Sequence, residues 1–313
     1  MQSMSDDTII ETHDLTRDFK TTRAVDALNL SIQPGRLFGL VGPDGAGKTT
    51  TLRLLAGLLD LSAGSATVAG FDLATQSESI KPHVGYMAQQ FSMYAELSVM
   101  ENLHFFAEIF DVAHTDLASR TERLLSFAGL TEFKNRRAVN LSGGMQKKLA
   151  LACTLIHQPK ILLLDEPTTG VDPISRREFW DILTELYLDG TTIVVSTPYM
   201  DEADRCSRVG LMYAGRMVIC DSPQRIRDQL EGEVIELQPD DEHLTQEEAL
   251  RLPGVLEVQT YGESLHLLVD SGKKRLPQIE KSLQKNQIAY RSIRLAPARM
   301  EEAFISLIRK MEG

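Results

Sequence analysis

Gly42-Pro43-Asp44-Gly45-Ala46-Gly47-Lys48-Thr49-Thr50 is the stretch whose reading decides the fold. It fits G-x-x-x-x-G-K-[ST], the phosphate-binding P-loop. Glycines let the backbone curl until successive N–H groups point inward as an anion nest. The helix that follows such a loop adds the positive end of its dipole. Lys48 can then reach the β- and γ-phosphates of a nucleotide, and the Thr49 hydroxyl can ligate Mg²⁺. The flanks suit this reading. Leu37-Phe38-Gly39-Leu40-Val41 reads as a short buried strand entering the loop, and Thr51 to Leu59 as a helix leaving it.

Length and composition set the frame. A chain of 313 residues with 42% apolar side chains can bury a real core and form two domains. A net charge of −11 disfavours nonspecific nucleic-acid binding, which wants a basic footprint. The start, Met1-Gln2-Ser3-Met4-Ser5-Asp6-Asp7, is polar and acidic, unlike a signal peptide. No apolar run approaches the roughly 18–20 residues of a membrane span, so a cytosolic or peripherally attached protein is expected. Cys153, Cys206 and Cys220 lie far apart and read as reduced, packed thiols.

Ahead of the P-loop, Thr8 to Thr12 and Ala27 to Ile32 read as strands, the second stopped by Pro34-Gly35. Phe19 lies between them, and on physical grounds alone a core position is favoured over stacking on a base. Beyond the loop, Ser65 to Ala69 and Val84 to Ala88 read as short strands. Helical spacing at Val99, Leu103, Phe106 and Phe110, and again from Leu117 to Ala128, makes residues 91–158 a mainly helical insertion. Within it, Leu141-Ser142-Gly143-Gly144 opens a helix. The plain reading is an N-cap, and the same N–H groups could hold an anion.

Ile161-Leu162-Leu163-Leu164 reads as a central parallel strand buried on both faces. Asp165 and Glu166 sit at its carboxyl end, where ligands bind in open α/β sheets. Asp165 can hold Mg²⁺ and Glu166 can polarise an attacking water. A helix from Ser175 to Leu188, a buried strand from Thr191 to Ser196 and a hairpin about Ala214-Gly215-Arg216 complete an α/β core ending near residue 230. A short polar helix is expected from Arg225 to Leu230. Residues 232–313 alternate strands with helices at Thr245–Leu252, Leu276–Gln284 and Arg299–Met311. They read as a small α+β domain without a catalytic cluster.

The P-loop, Leu141-Ser142-Gly143-Gly144 and Leu164-Asp165-Glu166-Pro167, in that order, resemble the ATP-binding subunit of ABC transporters over residues 8–225. The chain closely resembles the drug-efflux subfamily whose permeases are separate polypeptides. The resemblance implies a P-loop NTPase core of ABC type over residues 1–230 with an inserted helical subdomain, and the small C-terminal domain at 232–313. It implies that residues 42–50 bind ATP and that Phe19 stacks on adenine. Gln89 would contact Mg²⁺ and the attacking water. Ser142, Gly143 and Gly144 would close over the γ-phosphate of ATP held by a second subunit. Thr49 and Asp165 would hold Mg²⁺, Glu166 would be the catalytic carboxylate, and Gly170-Val171-Asp172 would lie at the dimer interface.

Two positions depart from the family. Met145 stands where many members have Gln. Pro198, in Ser196-Thr197-Pro198-Tyr199, takes the place of a histidine that contacts the γ-phosphate. Proline offers no donor there, although Thr197 could cap a helix starting at Pro198. The expectation is an ATPase at the cytoplasmic face of the cell membrane, driving export through separate permease subunits. It would act as a homo- or heterodimer without nucleic acid, its own site weakened by Pro198. A soluble ABC ATPase acting on ribosomes or DNA, and a non-hydrolysing regulatory subunit, are the competing readings.

Overall fold

A computed structural model describes residues 8–312, so the polar start Met1–Asp7 lies outside the described residues. The chain divides after Pro223 into two compact units. The first opens with a hairpin, β1 (Ile10–Phe19) and β2 (Thr22–Ile32), then β3 (Leu37–Val41) and α1 (Lys48–Leu55). Next come β4 (Ala63–Val68), β5 (Phe71–Asp72), α2 (Ser77–Ile80) and β6 (Val84–Met87). Three longer helices follow: α3 (Val99–Ile109), α4 (His114–Phe127) and α5 (Gly143–Leu155). The unit closes with β7 (Ile161–Asp165), α6 (Pro173–Leu188), β8 (Thr192–Thr197), α7 (Met200–Ala203), β9 (Arg208–Tyr213) and β10 (Arg216–Asp221).

Six of these strands form one sheet in the order β10-β9-β3-β8-β7-β6. All neighbours from β9 to β6 are parallel, and only β10 runs against its partner. Every residue of β3, β7 and β8 is buried, as a parallel sheet covered on both faces requires. The second sheet, β2-β1-β4-β5, is antiparallel. Ile10, Leu15 and Leu28 from it meet Leu52 and Leu55 of α1 and Leu163 and Val194 of the parallel sheet in one core. The helix after the P-loop is thus clamped between two sheets, and its N-terminus is held at the carboxyl ends of the parallel strands.

Several boundaries differ from expectation for local reasons. The first strand runs through to Phe19, because the polar stretch between the two expected strands is a hairpin arm. Phe19 ends that arm 40% exposed, with the Arg17 guanidinium 4.7 Å from its ring centre, so it is no core residue. α6 starts two residues early because the Asp172 carboxylate accepts from the N–H groups of Ile174 and Ser175, with Pro173 in the first turn. Thr197 does not cap a helix at Pro198. It is the last residue of β8, its hydroxyl accepts from the Tyr199 N–H at 3.0 Å, and α7 begins only at Met200. The helices of the insertion begin at Val99, where Ser98 and Glu101 make a reciprocal capping box.

After α8 (Pro223–Arg227), the second unit contains β11 (Glu233–Pro239), α9 (Glu242–Leu250), β12 (Val255–Tyr261), β13 (Ser264–Val269), α10 (Gly272–Lys285), β14 (Tyr290–Ala296) and α11 (Met300–Glu312). The short polar helix therefore comes earlier than residues 225–230. The four strands form an antiparallel sheet in the order β12-β13-β11-β14. From β11 to β14 that is the split β-α-β-β-α-β arrangement of ferredoxin-like domains. Ile235, Leu237, Leu265 and Leu267 pack with Ile279 and Leu283 of α10 as a core separate from that of the first unit.

Candidate nucleotide site

The site is assembled where β3, β7 and β8 end. Gly47 precedes α1 as its N-cap with φ 100°, and a Cβ there would lie 2.4 Å from the Ala24 carbonyl oxygen, so the loop needs glycine at that point. Lys48 follows at the first helical position and is 4% exposed. Its Nζ donates to the carbonyls of Gly42 at 2.8 Å and Pro43 at 3.0 Å, and lies 3.3 Å from Glu166 Oε1.

Asp165 and Glu166, adjacent in sequence, serve different networks. Asp165 is fully buried, and its Oδ1 accepts from Thr49 Oγ1 at 3.0 Å and from Ser196 Oγ at 2.8 Å. Its Oδ2 accepts from the Tyr86 hydroxyl at 3.3 Å. Burial raises the Tyr86 phenol above its ordinary pKa, which keeps it a donor. Glu166 turns away because its backbone is left-handed, at φ 45°. Its N–H is held by Ser196 Oγ at 3.0 Å, and its Oε2 accepts from Gln89 Nε2 at 2.7 Å. A non-glycine residue in that region is strained and needs its surroundings to hold it.

Gln89 lies just past β6, and the Lys147 ammonium donates to its backbone carbonyl at 2.5 Å. Burial lowers the Lys147 pKa, against the opposing pull of Asp165 and Glu166. Ser142 caps α5 by accepting from the Met145 N–H at 3.3 Å. A Cβ on Gly144 would sit 2.6 Å from Ser175 of α6, so glycine lets these two helices approach.

The structure brings together Lys48, Thr49, Gln89, Asp165 and Glu166. Ser142 to Gly144 begin a helix elsewhere on the same unit, in contact with α6. Sequence reasoning missed Ser196, Tyr86, Lys147 and Glu202. Ser196 pairs with Asp165 in the parallel register, so knowledge of the strand order would have revealed it. Glu202 gave no signal. It is 1% exposed and accepts from Thr168, Thr197, Arg176 and Trp180, tying the segment after Glu166 to α6 and to the end of β8. Among the described residues no group of His, Cys, Asp and Glu makes an all-protein metal cage. One carboxylate beside a threonine hydroxyl fits a hard cation that keeps waters and phosphate oxygens as its other ligands, as Mg²⁺ does.

Comparison with known proteins agrees with this fold. The ABC transporter family model matches residues 25–169. The chain is 31% identical over 303 residues to the daunorubicin/doxorubicin resistance ATP-binding protein DrrA of Streptomyces peucetius, covering 95% of this chain and 92% of that one. It is 41% identical over 223 residues to the probable multidrug ABC transporter ATP-binding protein YbhF of Escherichia coli, 71% of this chain but only 39% of that protein's length. A solved dimeric ATP-binding cassette in a post-hydrolysis state, bound to ADP and phosphate, superposes with a TM-score of 0.63 at 25% identity, over 68% of this chain and 98% of that one. Fold and site together define the class of ABC ATPases. The chain belongs to the family of ABC transporter ATP-binding proteins.

Proposed function

We propose that this chain is the energy-coupling subunit of an exporter. It would bind MgATP at Gly42–Thr50, pair with a second nucleotide-binding domain, and drive separate membrane permease subunits from the cytoplasmic face. The observation that carries this is the convergence of Lys48, Thr49, Asp165, Glu166 and Gln89 at one edge of the parallel sheet. Phosphate oxygens would replace the Gly42 and Pro43 carbonyls as acceptors for Lys48. Thr49 and Asp165 would hold Mg²⁺, with Gln89 beside it, and the ion would supply charge neutralisation for the phosphates. Glu166, oriented by the Gln89 amide, accepts a proton from the attacking water. Phe19 offers an exposed ring for adenine.

One chain carries one P-loop and one Ser142-Gly143-Gly144 helix start, so a complete site needs two nucleotide-binding domains. ATP then acts as glue between them, and hydrolysis lets them part, a shift between two dimer populations. No helix among the described residues is long and apolar enough to cross a membrane. The permease contact is assigned to residues 91–102. There Tyr94 is exposed, while Phe91 and Met93 are half-buried. Asn102 folds this loop back on α3 through the backbone of Tyr94, Leu97 and Ser98. The drug-resistance and multidrug names of the relatives support export.

The test is ATP turnover and ATP-dependent dimerisation of the purified protein. Glu166→Gln should cut turnover by about 10²-fold or more while leaving MgATP binding intact, and should hold the dimer closed on a sizing column. A protein that turns over equally well without the carboxylate would overturn the reading.

A second reading rests on Pro198. Thr197 pairs with Val41 in the parallel register, so Pro198 follows at the phosphate end of β8, beside the start of the P-loop. With no donor at that point, this chain's own site would bind ATP well and hydrolyse it slowly, while its Ser142-Gly143-Gly144 segment completes a partner's site.

A further inference from the structure

α5 carries two consecutive lysines with different fates. Lys148 reaches outward to Glu178 of α6 at 2.5 Å. Lys147 turns inward, is 9% exposed, and donates to the Gln89 carbonyl at 2.5 Å. An ammonium is costly to bury, and an apolar side chain would pack α5 without that cost. The charge is directed at one particular peptide plane. Fixing the carbonyl of residue 89 fixes the direction in which its side chain leaves the backbone. That side chain is the one whose amide meets Glu166 Oε2 at 2.7 Å. The segment after Gln89 has no helix until Val99, so little regular structure would hold this plane if Lys147 released it.

We propose that Lys147 is the positioning residue for Gln89. Through it, α5, the helix opened by Ser142-Gly143-Gly144, sets the orientation of Glu166 in the same chain. A shift of α5 on meeting a partner's phosphate is then transmitted in two contacts, Lys147 to the Gln89 backbone and the Gln89 amide to the carboxylate. The proposal rests on the reading of Gln89 and Glu166 as the reacting pair, and its geometric part stands apart from that reading.

The experiment compares wild type, Lys147→Met, Lys147→Arg, Gln89→Ala and the double variant Lys147→Met/Gln89→Ala. Steady-state ATP turnover, MgATP affinity and amide hydrogen exchange in the nucleotide-free protein are measured on each. Lys147→Met should lower kcat about tenfold with KM within about twofold, Lys147→Arg should recover most of it, and the double variant should be no slower than Gln89→Ala alone. Exchange in residues 88–94 should rise several-fold in Lys147→Met, while β7 and α1 stay protected. Additive losses in the double variant overturn the proposal, since Lys147 would then act by another route. So does unchanged exchange at 88–94, or a rise across the whole first unit, which marks plain destabilisation. If wild type neither binds nor hydrolyses ATP, the functional reading falls and the exchange result alone decides the placement of Gln89.

Discussion

Two regions of this molecule bury ionisable side chains, and they do so in opposite ways. At the carboxyl ends of the parallel strands of the first unit, Lys48, Asp165 and Glu166 sit at strand ends and after a glycine loop, with Glu166 in a left-handed conformation. On the C-terminal sheet the polar groups lie in mid-strand. Gln259, His266, Glu236 and Arg294 form one cross-strand row in register, and Glu302 of α11 closes over it, 2.5 Å from His266 Nδ1. Buried charge is common to both, so burial alone does not identify a reactive site. Strained backbone and convergence at the carboxyl ends of parallel strands mark the first region, and the second is a clasp for a helix.

That contrast can be broken by experiment. The largest expected effect beyond Glu166→Gln falls on the clasp. Glu302 also caps the Arg299 N–H at 2.6 Å, so Glu302→Ala removes the partner of His266 Nδ1 and frees the start of α11. It should cost the second unit about 3 kcal/mol, read as an earlier chemical-denaturation transition, with ATP turnover within about twofold of wild type. A large loss of turnover would show that the two regions are not functionally distinct.

Pro198→His comes next and sharpens the first region. It places a donor at the end of β8 and should raise steady-state turnover about tenfold, with MgATP affinity nearly unchanged. No increase would mean that Glu166 and its surroundings already suffice, and the slow-site reading would fall.

The smallest effect concerns a half-buried group in neither region. His157, just past α5, stacks on Phe110 at 3.8 Å, and among the described residues neither ring nitrogen has a hydrogen-bond partner. Burial holds its imidazole down to about 4, outweighing a contact with the Val84 backbone. The unfolded chain takes up this proton near pH 6.5 and the folded chain only near 4, so acid favours unfolding across that window. His157→Leu should flatten the fall in stability between pH 6.5 and 4 by about 1 kcal/mol, allowing for the ring's partial exposure. An unchanged pH slope would remove His157 as its source.

Much of this could be read without coordinates, because the relevant forces are local. The P-loop, its flanking strand and helix, and the four-aliphatic strand ending in Asp165-Glu166 follow from glycine geometry, the helix dipole and complete burial, all visible within about ten residues. The division into an α/β core and a small α+β domain followed from a change in periodicity past Pro223. Other features depended on contacts distant in sequence. Ser196 meets Asp165 across 31 positions, and Glu202 gathers Thr168, Arg176, Trp180 and Thr197. Lys147 reaches Gln89 across 58 positions.

By itself the sequence determined the glycine loop, the strand and helix that flank it, and which carboxylates end the central strand. Those properties reside in backbone conformation and in neighbours along the chain. Tertiary structure alone decided that Asp165 and Glu166 serve separate networks, that Phe19 is exposed, and that a lysine of the α5 helix steadies Gln89. The physical reason is that parallel strand order and helix packing set those encounters, and neither is encoded in any single window of residues.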